Sequence, residues 1–388
     1  DSFLIFDGGV KILNGIYPFK DYWTISGPIL DLLQSIIFDI FNVNWLSYIL
    51  HAALVNTFLS LLSYYFFISF GLKKVSSFTY SIGISILAYP SVGSPFMDHH
   101  ATIFSLSSMI ILILAFKKNT NLYWFLSPLL LGVSFFSKQI PSAFLILLFL
   151  FLIFFYFKIN KFKNLSNLVY FIFGLIFFLL ALSTLVFIYN IPPNNILTQY
   201  FLYPLGIGDM RTNSLNLDFK NLILQFKFIY ISLIPLFIAG FSLIIIKKKT
   251  LQNKIDILIF FAVAASTLIF IYTQLITKNQ ILIFFLIPFV LAISHYFTIS
   301  NNSNKFIKKY KKIIKYILIL ILITAVFKYH VRFNVEKKFM ELSNVNINVG
   351  VPGDALDSSL KGLMWVTPQF ANNPNLEISL LKDAKDKI

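Results

Sequence analysis

The sequence predicts an all-α integral membrane protein, folded as a polytopic helical bundle. Of its 388 residues, 57% are hydrophobic and only 12% are charged. Apolar runs of about 20 residues recur along the chain, which is the helical length needed to cross about 30 Å of hydrocarbon. The chain has no cysteine, which excludes disulfides and metal sites built on thiolates. These three observations exclude a soluble globular domain.

Residues 1–43 precede the first predicted span and are unusually acidic for this chain. They hold five of its sixteen acidic residues: Asp1, Asp7, Asp21, Asp31 and Asp39. Ser26-Gly27-Pro28 predicts a helix start, since proline at the first helical position needs no N–H partner. The polar residues that follow share one face of this helix: Asp31, Gln34, Ser35, Asp39 and Asn42. We expect a juxtamembrane helix that lies in the membrane surface with its acidic edge in water.

Residues 44–328 are predicted to form a transmembrane bundle of about ten spans. Their ranges are 45–70, 76–95, 101–116, 122–137, 141–157, 165–191, 228–246, 255–276, 280–299 and 316–328. Residues 329–388 have a mixed, soluble-looking composition and are expected to form an external tail that begins a small domain. Because the chain opens at Asp1 without a methionine, we expect a fragment that lacks one earlier span.

Lysine clusters mark alternate connections between the predicted spans. They are Lys73 and Lys74, Lys117 and Lys118, Lys158 with Lys161 and Lys163, Lys247 to Lys249 with Lys254, and the run from Lys305 to Lys315. By the positive-inside rule this side is the cytoplasm. The sequence therefore predicts a multi-pass protein of a bacterial inner membrane, with residues 1–43 and the tail in the periplasm. The net charge of +16 is an orientation signal towards anionic lipid. We expect no nucleic-acid partner, because no basic groove interleaved with aromatic residues appears.

The predicted spans contain almost no acidic residues, which argues against a proton relay or an ion pathway. A site at the outer membrane boundary is favoured instead. We expect Asp98 and His99 to cap the span that begins near Ala101, and to line an outer cavity together with His100. The i, i+4 spacing of helical metal ligands is absent. No metal site is therefore assigned, although a divalent metal could bind if another loop supplied ligands.

An ordered set of motifs runs through the first external segment. The set is Asp1-Ser2, Gly8-Gly9, Ile12-Leu13, Gly15, Tyr17-Pro18-Phe19, Asp21 and Gly27-Pro28. It resembles the first external loop of the C-type membrane glycosyltransferases. These enzymes depend on polyprenyl-phosphate sugars and include protein mannosyltransferases and aminoarabinose transferases. The resemblance covers the first part of the chain by motif and the remainder by hydropathy alone.

The resemblance implies a chemistry as well as a fold. Asp1 corresponds to the general base, which takes the proton from an acceptor hydroxyl as that oxygen attacks the anomeric carbon. Asp21 corresponds to the second acid, and Tyr17 belongs to the implied pocket. Polyprenyl phosphate leaves and the configuration inverts. The chain departs from the family where Ile25-Ser26-Gly27-Pro28 replaces a Pro-Pro pair, which affects the loop geometry and the acceptor.

A leaving phosphate requires a cation in a site of low dielectric constant. Lys138, between two closely spaced spans, resembles the Thr-Lys-Gly or Thr-Lys-Pro element of the family. Arg211 offers bidentate phosphate recognition, and Lys278 is a third candidate. No cofactor is expected, because the activated sugar arrives on lipid. The implied partners are a polyprenyl-phosphate-linked sugar, membrane lipids, and a lipid, glycan or protein acceptor.

Two other functions remain open from the sequence. A lipid-linked oligosaccharide ligase or polymerase has similar hydropathy but concentrates arginine and histidine in a large external loop. The loop at 192–227 has one arginine and no histidine. A transporter or flippase would show inverted repeats with matching Gly/Pro interruptions in two halves, and the sequence has no such pattern.

Overall fold

A computed structural model describes residues 3–90, 93–213, 215, 218–245, 250–278, 283–300, 305–338, 347–366 and 374–385. These residues form a polytopic helical bundle, as predicted. The helices are α1 (Leu4–Leu13), α2 (Ile29–Phe41), α3 (Trp45–Ser69), α4 (Lys74–Ala88), α5 (Met97–Lys118), α6 (Asn121–Phe135), α7 (Ser142–Ile159), α8 (Ser166–Ile188), α9 (Pro193–Ile196), α10 (Tyr203–Asn213), α11 (Lys227–Ile245), α12 (Leu251–Thr277), α13 (Leu286–Ser300), α14 (Lys305–His330) and α15 (Pro374–Lys385). Short π-helical turns cover Leu197–Leu202, Lys220–Leu224 and Val331–Val335.

Within the described ranges, seven helices are long and apolar enough to cross a membrane. They are α3, α5, α7, α8, α11, α12 and a stretch of α14 with the turn that follows it. The predicted spans at 76–95, 122–137 and 280–299 correspond to the 15-residue helices α4, α6 and α13. The chain is thus a multi-pass membrane protein, with some segments shorter than hydropathy alone predicted.

The bundle helices run alternately between two ends. At one end, which we call the lysine end, the Lys117 ammonium lies 3.8 Å from the ring centroid of Phe70 and 4.1 Å from that of Tyr296. Asp256 accepts a hydrogen bond from the Tyr296 hydroxyl there at 2.7 Å. The opposite end, which we call the first-segment end, carries α1, α2 and the connections that follow α4, α6, α8 and α12. This alternation agrees with the predicted positions of the lysine clusters.

The core is built around α5, which lies at the centre of the bundle and is buried almost throughout its length. In contrast, α8 exposes most of its apolar side chains, including Phe173, Phe177 and Leu180. An apolar surface of this kind is expected to face lipid tails. The helix therefore lies at the periphery, where its last turns border the first-segment end.

Helices α1 and α2 pack closely because two glycines remove the side chains between them. A Cβ atom at Gly8 would lie 2.6 Å from Asp31 Oδ2, and one at Gly9 would lie 2.8 Å from Gln34 Cγ. Both distances are far shorter than a normal contact, so only glycine permits this approach. The Gly8-Gly9 pair of the first segment is therefore a packing element.

The orientation predicted for α2 is wrong in its first turns. Asp31, Gln34 and Ser35 are buried, whereas the apolar residues Ile36 and Ile40 are exposed. The polar face is turned inwards because it packs against Gly8 and Gly9 of α1 and because Gln34 contacts His51 of α3. The prediction of a solvent-facing polar edge is correct only at the end of the helix, where Asp39 and Asn42 are exposed.

The tail packs against the first segment. Its two short strands, β1 (Val351–Pro352) and β2 (Met364–Trp365), are antiparallel. The Trp365 ring stacks on Phe3 with a centroid distance of 6.4 Å, and Gly362 approaches Trp45. Residues 362 and 365 of the tail therefore lie beside the first segment and the start of α3.

Candidate functional site

The candidate site lies at the first-segment end, where four stretches of chain meet. They are the first segment, the start of α5, the turn at 136–141 between α6 and α7, and residues 189–203. Gln139 joins two of these stretches to its own turn, since its side-chain amide donates to Ile25 O at 3.0 Å and to Tyr200 O at 2.9 Å. Thr24 N donates to Gln199 Oε1 at 3.1 Å. These contacts fix the long connection after α8 onto the first segment.

A largely buried ion pair lies at this end of the bundle. Lys138 Nζ donates to Asp98 Oδ1, and their side chains are only 16% and 5% exposed. Asp98 comes from the first turn of α5 and Lys138 from the turn after α6. The pair therefore joins the start of α5 to the turn after α6, through two residues that lie 40 positions apart in the sequence. The cation assigned to phosphate from the sequence is compensated by a carboxylate in this structure.

Asp98, His99 and His100 all lie inside the bundle. Helix α5 begins at Met97, and its N-cap residue Phe96 makes no side-chain cap. The expectation that Asp98 and His99 cap a span starting near Ala101 is therefore wrong, because the helix starts earlier and includes them. All three side chains are buried.

A chain of polar contacts links α2, α3 and α5. His51 Nδ1 lies 3.0 Å from Gln34 Oε1, and the His51 ring meets that of His100 edge-on at 4.9 Å between centroids. His100 Nδ1 lies 3.0 Å from Phe96 O. Phe96 N also lies 3.4 Å from His100 Nδ1, so this ring nitrogen meets both the N–H and the carbonyl of Phe96. Within the described ranges, Nε2 of His51 and of His100 have no hydrogen-bond partner.

No group of three or more His, Cys, Asp or Glu residues in the described part of the chain is arranged to hold a metal ion. The histidine chain above supplies two neighbouring imidazoles, and the carboxylate of Asp98 is engaged by Lys138.

The other residues predicted for the site belong to the first segment, to α10 and to the end of α12. Asp21 is exposed and closes its own turn, because Tyr17 N donates to Asp21 Oδ2 at 2.8 Å. The Tyr17 ring stacks on Tyr189 at 4.0 Å. Arg211, on α10, and Lys278, at the end of α12, are exposed. Asp1 lies outside the described residues.

Sequence reasoning missed the buried carboxyl group of Asp31. This residue is 8% exposed, and its Oδ2 accepts a hydrogen bond from the Tyr22 hydroxyl at 2.8 Å. Burial raises the pKa of Asp31 from 3.8 to about 7, against the opposing effect of the Tyr22 hydrogen bond. Burial and the Asp31 charge also raise the pKa of Tyr22. The signal in the sequence was the Gly8-Gly9 pair, which predicts a close neighbour for one face of α1.

This carboxyl group should make the stability of the fold depend on pH. Its folded pKa lies above the unfolded value, so the folded state binds more protons between about pH 4 and pH 7. The free energy of unfolding should therefore fall as pH rises through this window, by up to about 1.4 kcal/mol per pH unit. Thermal unfolding in detergent should show this slope, and Asp31→Asn should flatten it. An unchanged slope in Asp31→Asn would contradict the assignment.

A small apolar pocket lies at the first-segment end. Its lining is entirely apolar at the surface and includes Tyr17, Phe19, Leu32, Phe136, Leu185 and Val186. It lies between the first segment and the last turns of α8, whose outer face exposes apolar side chains. Phe136, two residues before Lys138, belongs to its lining.

Comparison with known proteins gives no relative for this chain. No family model, no curated protein and no solved structure matches it.

Proposed function

We propose that this protein is a glycosyltransferase of a bacterial inner membrane, which moves a sugar from a polyprenyl-phosphate donor to an acceptor hydroxyl on the periplasmic side. The observation that supports the proposal is that one turn, at 136–141, contributes both to an apolar pocket and to a largely buried ion pair. Phe136 lines the pocket, and Lys138, two residues later, pairs with Asp98. A lipid-linked donor needs this combination, because its tail is apolar and its phosphate is anionic.

In the proposed reaction, the acceptor oxygen bonds to the anomeric carbon and the bond from that carbon to the phosphate oxygen breaks. A carboxylate of the first segment takes the hydroxyl proton, and the sequence resemblance assigns this role to Asp1, with Asp21 as the second acid. Lys138 would exchange Asp98 for the phosphate of the donor. Arg211 and Lys278, both exposed at the same end, would add positive charge around it.

The proposal is tested with purified protein in detergent and a panel of radiolabelled polyprenyl-phosphate sugars. We expect label to move from lipid to an acceptor in a membrane extract of the same organism. Asp1→Asn and Asp21→Asn should each reduce transfer by at least about 100-fold, the usual contribution of a general base. Asp39→Asn, an exposed acid of α2, is the matched control and should transfer normally.

A different outcome would redirect the assignment. If no monophosphate donor were turned over while a diphosphate-linked lipid bound tightly, the ligase or polymerase function would replace this proposal. Movement of an intact lipid across the bilayer without chemical change would favour a flippase.

A further inference from the structure

A cation and two phenol hydroxyls meet at the surface of the lysine end. Lys118, the last residue of α5, donates from Nζ to the Tyr65 hydroxyl at 2.9 Å. The Tyr65 hydroxyl is hydrogen-bonded in turn to that of Tyr123. The Lys118 ammonium also lies 4.6 Å from the ring centroid of Tyr65 and 5.9 Å from that of Tyr123. These three residues, which we call the Lys118 cluster, bring together α3, α5 and α6.

The positive charge of the Lys118 cluster is not balanced by a carboxylate. Among the residues that the structure describes, Lys118 forms no ion pair with an aspartate or a glutamate. An ammonium group has three N–H donors, and one of them is used by Tyr65. Two phenol hydroxyls carry two hydrogens and use one of them between themselves. Within the described ranges, the cluster thus keeps further N–H and O–H donors for an anion.

The cluster lies where the exposed apolar face of α3 ends. Tyr65 is exposed, and so are Leu61 and Phe58, which precede it by four and seven residues. Residues at this spacing share one face of a helix. Because α3 is long and apolar enough to cross a membrane, this face is expected to meet acyl chains. Tyr65, in the last two turns of α3, then lies at the depth of the lipid headgroups, where tyrosine is enriched.

These features define the chemistry of the ligand. It must be anionic, since the cluster is cationic, and it must offer oxygen atoms that accept from N–H and O–H donors. It must also be apolar on one side, because the face of α3 beside the cluster is apolar. A phospholipid with a net negative headgroup meets all three requirements. The lysine clusters predict that this end faces the cytoplasmic leaflet, which supplies such lipids.

We infer that the Lys118 cluster binds an anionic phospholipid of the cytoplasmic leaflet. The headgroup phosphate accepts hydrogen bonds from Lys118 and from the phenol hydroxyls, and an acyl chain lies along Leu61 and Phe58. One bound lipid thereby ties the end of α5 to α3 and α6. The site is at the opposite end of the bundle from the proposed catalytic site, so this inference does not depend on the proposed function.

The first test counts the phospholipids that the purified protein retains in detergent, by native mass spectrometry. Dioleoylphosphatidylglycerol is titrated against wild type, Lys118→Met and Lys118→Arg. We expect Lys118→Met to weaken the tightest binding of this lipid by at least about tenfold, the effect of losing a charge-assisted hydrogen bond. Lys118→Arg keeps the charge and several donors, so it should retain most of the affinity.

Lys158 supplies the matched control. It is exposed in the last turn of α7, and its ammonium lies 5.7 Å from the ring centroid of Phe155, which carries no hydroxyl. Lys158→Met therefore removes the same charge beside an aromatic ring, without touching the Lys118 cluster. Its tightest binding of phosphatidylglycerol should equal that of wild type.

A second variant tests the hydroxyls and does not depend on whether Lys118→Met folds. The double variant Tyr65→Phe with Tyr123→Phe keeps both rings and removes both hydroxyls. Its affinity for phosphatidylglycerol should fall by about tenfold, since each neutral hydrogen bond typically contributes about threefold. Wild type should bind dioleoylphosphatidylcholine more weakly, because the ammonium group of that lipid neutralises its phosphate. Inorganic phosphate should not displace phosphatidylglycerol, because it has no acyl chain.

Several results would overturn the inference. Equal losses in Lys118→Met and Lys158→Met would show a general effect of charge rather than a site. Unchanged binding in the double tyrosine variant, or equal binding of phosphatidylcholine and phosphatidylglycerol by wild type, would remove the assigned contacts. Displacement of the lipid by an equal concentration of inorganic phosphate would assign the cluster to free phosphate instead.

Discussion

Replacing Gly27 with alanine is expected to detach the first segment from the bundle. A Cβ at this position would lie 2.8 Å from Phe136 Cα and closer still to the carbonyl carbon and oxygen of that residue. These are backbone atoms, so no change of rotamer relieves the overlap. Gly27 N also donates to Ser137 O at 3.2 Å. We expect a loss of about 3 kcal/mol in the free energy of unfolding, at the upper end for overpacking.

The measurement is the apparent melting temperature in detergent, combined with the rate of tryptic cleavage after the exposed residue Lys20. Gly206→Ala is the matched control. A Cβ at Gly206 meets nothing within 4 Å, and alanine is the better residue within a helix. That variant should melt at or slightly above the wild-type temperature. Equal melting and cleavage for Gly27→Ala and wild type would show that the first segment is not seated on the 136–141 turn.

The helical framework follows from the sequence because its determinants are local. Apolar length sets the number and position of most spans, and the start of α3 at Trp45 agrees with the predicted boundary at 45. The lysine clusters lie on alternate connections along the sequence. The short helices α4, α6 and α13 were predicted as longer spans, since hydropathy does not report where backbone hydrogen bonding ends.

The contacts within the site depend on tertiary packing, which a single sequence does not contain. The polar arc of α2 was assigned to water, because amphipathicity shows that a helix has two faces without showing which face has a protein neighbour. Asp31 therefore seemed to be a solvated acid. Likewise, Asp98 and Lys138 were selected separately, and their pairing across 40 positions follows only from the packing of α5 beside α6.

Breaking the buried ion pair should have the other large effect on the molecule. Lys138→Met would remove the Lys138 ammonium from the Asp98 carboxylate, which is 5% exposed. Removal of one partner from a buried pair typically costs about 3–5 kcal/mol, because the remaining charge is desolvated and uncompensated. The double variant Asp98→Asn with Lys138→Met carries neither charge and should recover most of this loss. The free energy of unfolding in detergent, measured for both single variants and the double variant, gives the coupling directly.

The exposed pair of α1 supplies the control for this cycle. Asp7 and Lys11 approach to 2.6 Å, but their side chains are 57% and 35% exposed. Water screens such a pair, so the equivalent cycle should give less than about 1 kcal/mol. A coupling as small for Asp98 and Lys138 would mean that solvent reaches them and that Lys138 is free to meet an anion. A large coupling would mean that a donor phosphate must displace Asp98 from Lys138. The affinity of the protein for the donor should then rise in Asp98→Asn. Binding of polyprenyl phosphate to Asp98→Asn therefore separates the two cases: a large coupling predicts tighter binding than to wild type, and a small coupling predicts no such gain.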